Sequence, residues 1–463
     1  MLAASYLASL SDSQWVQHEF ADAALPDRRL HSRLLQIARD FASTPGASIP
    51  RACRSWAKIK AAYRFFDQDK LTVPMLLAAH LQATLARMHG QPVVLAVQDT
   101  TVLDYAKHFH TQGLGPINQR AQSTGMLLHG TLALTPDHTP LGVLQAHLWT
   151  RERKHHGQSR QRNQKPLCDK ESQRWLQSFA AACQLASQLE DTQVVSVADR
   201  EGDLYEVFAA ALQPSARAAV LIRAQHDRQV VGGRAPKLWG HMHAHEPMRV
   251  EIDVPRHGAT PPRRATCEVR FGPVVLSAPL LKEKQPALEG LWFVEVRETG
   301  GQPSPILWRL VTTLPVGTLA QALEKVHWYM VRWQIEVFHR TLKTGCGAEK
   351  LQLDSAHKLQ LAVAIKMVVA WRVMALLHAS RTHADAPAHT LLTPEEITVV
   401  VALSRRKLNA STLSLKQATH AIAARGGFIG RRADGEPGAL TLWHGLQELR
   451  AMTHVLSALH KCG

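Results

Sequence analysis

Two short apolar runs that each end on an aspartate constrain the fold of this chain more than any other feature. The runs "PVVLAVQDTT" (92–101) and "TQVVSVADREGD" (192–203) predict buried strands, with Asp99 and Asp199 at their carboxyl ends. Further strands are predicted at 126–135, 141–150 and 218–225. One helical pattern precedes the strand at 192–203 and another follows it, so the predicted order is three strands, helix, strand, helix, strand. This order predicts a mixed sheet with helices on its faces. If the two aspartate strands are neighbours, their carboxylates converge where such sheets commonly bind ligands.

Helical periodicity dominates both ends of the chain. The segments at 27–42 and 51–66 have apolar residues at helical spacing and basic residues on the polar side. Residues 226–315 instead alternate like β-strands, which predicts a mostly β insertion. The most apolar stretch, 359–379, contains Lys366 and Arg372, so it predicts a buried helix rather than a membrane span.

The segment "HWYMVRWQIEVFHRTLKTGCGAEKLQ" (327–352) holds an unusual set of polar side chains. At about 100° per residue, four of them fall within roughly 60° of arc on an uninterrupted α-helix: Tyr329, Arg332, Glu336 and Lys343. Four apolar residues cluster near the opposite side: Val331, Ile335, Phe338 and Leu342. If this helix is considered alone, the more common explanation of such a pattern is a solvated helix face with a chance Arg-Glu pair at i,i+4.

The carboxylates point to one kind of chemistry if Asp99, Asp199 and Glu336 meet. Three acids without a soft ligand suit Mg²⁺, with Mn²⁺ as a substitute, because both prefer oxygen ligands. Without cations the acids would repel one another, whereas two divalent ions relieve the repulsion and clamp both oxygens of an in-line phosphoryl displacement.

The charge balance favours a polyanionic partner. The chain has 54 Lys and Arg against 38 Asp and Glu, a formal net charge of +16, and such cations gain affinity by releasing counterions from phosphates. An anionic membrane surface would also explain the charge, but the sequence has no clear amphipathic anchor. The six cysteines form no C-x-x-C pair, so neither a zinc ribbon nor a disulfide framework is indicated. The N-terminus is a poor signal peptide, and a reducing cytoplasm is the expected compartment.

The tetrad spacing Y-x-x-R-x-x-x-E-x-x-x-x-x-x-K, together with "QDTTVLDY" and "ADREGDLY", resembles the signature of DDE transposases of the insertion-sequence-four family. The resemblance implies an α/β fold: a ribonuclease-H-like mixed-sheet catalytic core with a β-rich insertion, flanked by N-terminal and C-terminal helical domains. It implies that Asp99, Asp199 and Glu336 are the catalytic residues and metal ligands. Tyr329, Arg332 and Lys343 would then grip DNA phosphates near the terminal base.

The resemblance also implies domains and partners. The expected domains are a helical DNA-binding domain at 1–75, a catalytic core at 76–375 with its β insertion at about 226–315, and a helical dimerisation domain at 376–463. The implied partners are double-stranded DNA, as transposon terminal inverted repeats and as target DNA, and a second copy of the chain in a homodimer. The implied reaction is hydrolytic nicking, a hairpin intermediate and strand transfer, in a bacterial protein that associates with the nucleoid when bound to DNA.

Individual side chains allow more than one interpretation. By the resemblance, Trp308 would stack on a flipped base, although a tryptophan in such a strand is commonly a core residue. Exposed helix charges are usually only solvated, but four are candidate DNA contacts: Arg28, Arg29, Lys60 and Arg64. Trp328 and Trp333 fit either the core or a DNA-facing surface.

Two further clusters are weaker candidates for metal sites. The segment "HMHAHE" places His241, His243 and His245 at period-two spacing, which suits either a metal cluster or a solvated or DNA-facing segment. Glu201 and Asp203 follow Asp199 at a spacing that resembles a calcium loop, but the glycine and bidentate glutamate of such loops are missing. We therefore interpret both acids as local loop or cap groups.

Two rival functions fit much of this pattern. One is a non-catalytic DNA-binding protein, such as an inhibitor of transposition, although the three intact acids argue against it. The other is a two-metal nuclease that hydrolyses nucleic acid without strand transfer.

Overall fold

The computed structural model describes residues 12–118, 123–152, 170–254, 263–279, 285–300, 305–390, 392–431 and 434–462. The described residues form two compact units. Unit 1 takes its residues from 1–88, 100–159 and 334–463, and unit 2 takes its residues from 89–99 and 160–333.

The α-helices of the described chain are numbered in chain order. They are α1 (Asp12–Phe20), α2 (Arg28–Ser43), α3 (Ile49–Cys53), α4 (Trp56–Phe66), α5 (Val73–Met88), α6 (Gln173–Ala186), α7 (Tyr205–Ala211), α8 (Leu238–His243), α9 (Leu319–Val331), α10 (Trp333–Arg340), α11 (Ala356–Thr382), α12 (Pro394–Leu403), α13 (Leu415–Arg425) and α14 (Ala439–Cys462).

The β-strands are numbered in the same way. They are β1 (Val93–Asp104), β2 (Gly115–Pro116), β3 (Thr124–Leu134), β4 (Pro140–Trp149), β5 (Gln193–Ala198), β6 (Ala218–Arg223), β7 (Met248–Val254), β8 (Arg263–Leu276), β9 (Leu288–Glu298) and β10 (Leu307–Thr312). Strand β1 is shared: residues 93–99 belong to unit 2 and residues 100–104 to unit 1.

Unit 2 contains a mixed sheet. Its strands lie in the order β1-β5-β6-β10-β9-β8-β7, with the first three parallel and the rest antiparallel. The parallel strands are continuous runs of Val, Leu, Ile and Ala because both of their faces are buried. Helix α6 covers β5 and β6, and α9 packs against β8 and β9. The segment predicted as a β insertion, 226–315, supplies β7 to β10 and the short helix α8.

Unit 1 is built around α11. Twenty of its 27 residues are buried, and it packs against α5, β4 and α2. Strands β3 and β4 form an antiparallel pair, and the turn that connects them contains His138, which has a φ of 69°. The pair packs on this core through β4. Helices α12, α13 and α14 form a second apolar cluster with the end of α11. The predicted fold class, an α/β protein with a mixed sheet and helical N- and C-terminal regions, is confirmed.

The apolar stretch predicted as a buried helix is α11. Among the described helices it is the one long and apolar enough to cross a membrane, yet 89% of its most apolar window is buried inside the protein. The buried Lys366 of this helix has hydrogen-bond partners, because its Nζ donates to the carbonyl oxygens of Pro45 and Cys346 at 2.7 Å each.

Two segments that were each predicted to form one continuous helix are interrupted in the structure, so these predictions are wrong. The helix expected over 51–66 breaks at Arg54, which has a φ of 57° and separates α3 from α4. The helix expected to carry the tetrad is interrupted at Arg332, between α9 and α10, and becomes a π-helix over Thr341–Gly345. The Thr341 hydroxyl donates to the Val337 carbonyl at 2.8 Å, and this competition with the backbone ladder favours such a change of pitch. The apolar side of the pattern is nevertheless buried at Val331, Ile335, Phe338 and Leu342.

Candidate active site

The two predicted strand-end aspartates lie at the same edge of the unit 2 sheet. Strands β1 and β5 are parallel neighbours, and Val97 is directly opposite Val197. Asp99 and Asp199 each follow two residues later, so the register places them side by side just beyond the last paired residues of the two strands. Asp199 comes directly after the end of β5, as predicted, whereas β1 continues to Asp104, so the prediction that Asp99 ends its strand is wrong. The preceding residues are joined across the strands, since the Gln98 amide donates to the Ser196 hydroxyl at 2.5 Å. Both aspartates are half-buried.

A hydrogen bond to the following loop fixes the side chain of Asp199. Its Oδ1 accepts from the Glu201 backbone N–H at 2.9 Å and caps the 3-10 turn Arg200–Gly202. The Glu201 side chain pairs with Arg174 at 2.5 Å. The buried Asp203 carboxylate accepts from the backbone N–H groups of Gln225 and His226 at 2.7 and 2.9 Å. Glu201 and Asp203 are thus held in local contacts, as expected of loop and cap groups.

An aromatic and cationic group lies at the junction of β10 and α9 in unit 2. The rings of Trp308 and Tyr329 meet edge to face, with centroids 6.0 Å apart. The Arg332 guanidinium carbon is 5.8 Å from the Tyr329 ring centroid. Tyr329 is only 5% exposed, whereas Trp308 and Arg332 are half-buried. Unit 2 therefore brings together three of the residues expected to handle DNA.

The other two tetrad residues belong to unit 1. Glu336 is half-buried on α10, beside the buried Ile335. Lys343 lies in the π-helix, with its Nζ 3.9 Å from a Glu349 carboxylate oxygen. The same oxygen of Glu349 accepts from the Asp104 backbone N–H at 3.0 Å.

The acids have the right chemistry for a hard divalent cation. Asp99 and Asp199 offer carboxylate oxygens at adjacent positions beyond the paired part of β1 and β5, and oxygen is the ligand that Mg²⁺ and Mn²⁺ prefer. Within the described part of the chain, no three His, Cys, Asp or Glu side chains are grouped closely enough to hold a metal ion. The three-carboxylate metal site therefore stays a prediction.

The histidine cluster has a structural role. His241 lies on α8, where its Nδ1 accepts from the Arg234 backbone N–H at 3.0 Å and its Nε2 lies 3.2 Å from the Pro273 carbonyl oxygen. The rings of His241 and His245 both pack against Phe293. His241 lies on the helix and His245 follows it four residues later, so these two rings meet at i,i+4 spacing. The metal interpretation instead required all three histidines to converge at a spacing of two residues.

The N-terminal helices of unit 1 expose basic and aromatic side chains. Arg28 and Arg29 are exposed at the start of α2. On α4, Trp56 is 68% exposed, and the Lys60 Nζ lies 5.2 Å from its ring centroid. Arg64 continues this stripe one turn further on. The sequence analysis missed Trp56, although its i,i+4,i+8 spacing with Lys60 and Arg64 was a usable signal.

Trp328 and Trp333, which the sequence could place either in the core or on a DNA-facing surface, differ in their burial. Trp328 is a core residue, only 4% exposed, and its ring centroid lies 4.0 Å from the Lys325 Nζ. Trp333, at the start of α10, is half-buried.

Three family models match the chain. A model described as transposase DNA-binding matches residues 12–71. A model of the transposase DDE domain matches residues 134–371, slightly more than half of the chain. A model of the transposase Tn5 dimerisation domain matches residues 368–458. Asp199 and Glu336 lie within the span of the DDE model, and Asp99 precedes it. The resemblance to DDE transposases of the transposon-five type is thus confirmed.

Solved structures are also similar to the chain. One of them is described as a cryo-EM structure of the piggyBac transposase synaptic complex with hairpin DNA. The match has 10% sequence identity and a TM-score of 0.39, and it covers 83% of this chain and 76% of that chain.

Proposed function

Because this chain belongs to the family of transposases with a DDE domain, we propose that it moves a DNA segment by a cut-and-paste reaction. Hydrolysis nicks the element's end, the freed 3′-hydroxyl attacks the opposite strand to form a hairpin, and the reopened end is joined to target DNA. The observation that carries this proposal is the position of Asp99 and Asp199 side by side, just beyond the last paired residues of the parallel strands β1 and β5.

The proposed metal ligands are Asp99, Asp199 and Glu336. When bound, a pair of Mg²⁺ or Mn²⁺ ions would activate the attacking oxygen and stabilise the leaving oxygen of the scissile phosphate. The protein's own contribution is to hold the acids in place. The cross-strand bond from Gln98 to Ser196 and the cap from Glu201 to Asp199 supply that rigidity in unit 2.

The group around Tyr329 is proposed to hold the DNA end. Trp308 presents an aromatic ring on which an extruded base could stack, which would offset part of the cost of unpairing it. Arg332 and Lys343 would bind phosphates, and Tyr329 would orient Arg332 from a buried position.

Recognition and assembly are assigned to the ends of the chain. Arg28, Arg29 and Arg64 are exposed on helices within the span of the DNA-binding model, and we propose that they contact the terminal inverted repeats. The C-terminal helices would join two copies into the homodimer that holds both ends. The proposed compartment is the bacterial cytoplasm, in association with the nucleoid.

The test is cleavage and joining of a duplex that carries the element's terminal inverted repeats, in the presence of Mg²⁺. We expect Asp99→Ala, Asp199→Ala and Glu336→Ala each to lower the cleavage rate by roughly 100-fold or more, because loss of even an outer partner of a metal ligand costs about 10–100-fold. Glu201→Gln is the matched control. It removes a carboxylate two residues from Asp199 that pairs with Arg174, and it should cleave like the parent.

Three outcomes would contradict the proposal. Parental cleavage by all three alanine variants would remove the assigned catalytic acids. End binding without cleavage under any divalent metal would favour a binding-only inhibitor of transposition. Cleavage without joining of a labelled end to a target plasmid would indicate a nuclease.

A further inference from the structure

Unit 1 contains an arginine pocket whose residues have no part in the catalytic site proposed above. It is a concavity of about 200 Å³, and its floor includes Thr44, Gly46 and Gln447. Within the described part of the chain, the charged residues that line it are Arg51, Arg54 and Arg450. Three cations around so small a space make it a site for an anion.

The fold positions the arginines from two distant segments. Arg51 lies on the short helix α3, and Arg54 follows it in a left-handed conformation, with a φ of 57°. A side chain with a Cβ adopts that conformation only at a cost, and such positions concentrate where function requires them. Arg450 comes from α14, where its Nη1 donates to the Ala42 carbonyl oxygen at 2.7 Å. That bond ties the C-terminal helix to the end of α2.

The floor of the pocket is held rigidly. A Cβ on Gly46 would lie 3.0 Å from the Gly345 carbonyl oxygen and 3.1 Å from the Gln447 amide nitrogen, so the backbone approaches both closely. The preceding carbonyl, that of Pro45, accepts from the buried Lys366 at 2.7 Å. An anion bound here would meet groups that are already in place, which lowers the entropy cost of binding.

Arg51 and Arg54 are exposed at the pocket, whereas Arg450 also has an acidic neighbour. A carboxylate oxygen of Glu396 lies 4.0 Å from the Arg450 Nε. The exposed stripe of Trp56, Lys60 and Arg64 begins two residues after Arg54 on α4. The pocket and the stripe therefore adjoin each other along the chain, and both present cations on the N-terminal helices.

We propose that the arginine pocket binds a backbone phosphate of the DNA duplex. This inference rests on the proposed function only in that DNA is the substrate. Arg51 and Arg54 lie within the span of the DNA-binding model, whereas Arg450 lies within that of the dimerisation model. The C-terminal segment thus contributes directly to DNA contact, beyond its role in assembly.

The experiment measures binding of the full-length protein to an end duplex in EDTA, at several NaCl concentrations, so that cleavage does not interfere. Loss of one phosphate contact should lower the slope of log K against log salt by about 0.9. We expect Arg51→Ala, Arg54→Gly and Arg450→Ala to show that change and to bind roughly tenfold more weakly at low salt. Arg450→Lys should recover part of the affinity. The control is Arg405→Ala, an exposed arginine outside the pocket, which should match the parent.

The Arg54→Gly variant separates a role in binding from a role in folding. Glycine suits the left-handed conformation of residue 54, so this variant should melt at the parental temperature or above while binding DNA more weakly. It therefore decides the question even if Arg450→Ala unfolds through loss of the bond to Ala42. Parental affinity and salt slope for Arg54→Gly and Arg51→Ala would overturn the proposal.

Inorganic phosphate distinguishes a DNA phosphate from a free anion. If phosphate raises the melting temperature of the parent but not of Arg51→Ala, while DNA binding is the same in both, the pocket binds a free anion only and the proposal fails. The proposed function can also fail separately. A parent that binds DNA through the arginines but never cleaves it would refute the transposase mechanism and leave the pocket standing.

Discussion

At the scale of the residue, Lys366 is a costly side chain to bury in unit 1. It is fully buried in the middle of α11, with its Nζ 4.5 Å from the Phe41 ring centroid and bonded to two carbonyl oxygens. Burial lowers the pKa of this lysine from 10.5 to about 8, because the charged form loses its water. The hydrogen bond from Lys366 stabilises the loop at Pro45, whereas burial destabilises the charged form of the lysine.

That pKa predicts how stability depends on pH. Between pH 8 and 10.5 the unfolded chain keeps a proton that the folded chain has released, so the free energy of unfolding should rise with pH across this window. At about 1.4 kcal/mol per pKa unit, the gain relative to Lys366→Met should approach about 3 kcal/mol. Denaturant unfolding of both proteins at pH 7.5 and at pH 10 measures it. Parallel pH profiles would mean that Lys366 titrates normally.

At the scale of the element, a buried ionic network attaches α1 to the rest of unit 1. The fully buried Glu19 accepts from His80 at 2.5 Å and from Arg87 at 2.8 Å, both on α5. His80 in turn accepts from the Val143 backbone N–H at 2.9 Å, so the network reaches β4. Burial raises the pKa of Glu19, but hydrogen bonds from His18 and His80 and the charge of Arg87 outweigh it, and the pKa is lowered overall.

We expect Glu19→Gln to lower the free energy of unfolding by about 3–5 kcal/mol, because it leaves the Arg87 charge buried without its partner. The contribution of Glu19 should be present above pH 4.5, its usual pKa, and should disappear as the pH falls below it. A double-mutant cycle with Arg87→Met tests the coupling. Removing both charges should cost clearly less than the sum of the single changes, and additive costs would contradict the network.

At the scale of the whole molecule, assembly should depend on the outer face of α14. Val455 is 59% exposed on that helix, within the segment matched by the dimerisation model. An exposed β-branched side chain there is a candidate for an interface between two copies. We expect Val455→Asp to weaken dimer formation on end DNA by at least about tenfold, since a charge would be buried unpaired.

Light scattering of the protein–DNA complex measures this effect. Val231→Asp is a suitable control, because Val231 is 51% exposed but lies outside the dimerisation segment. The control should assemble like the parent. Equal assembly by the two variants would exclude the exposed face of α14 from the interface.

The sequence by itself determined the helices and strands whose buried residues follow one another directly or recur at a short, regular spacing. The apolar runs before Asp99 and Asp199 became parallel strands β1 and β5, and the run at 359–379 became α11, because a buried face imposes a pattern that can be counted along the chain. The spacing of the tetrad likewise carried the resemblance that the DDE family model confirms.

Only the tertiary structure decided the features that depend on partners far away in the chain. The attachment of Glu19 to Arg87 and the meeting of Arg51 with Arg450 in one pocket cannot be recognised from any periodic pattern in the sequence. The physical reason is that these are single hydrogen bonds and charges between segments up to 399 residues apart, and their energy depends on where the backbone has already been placed.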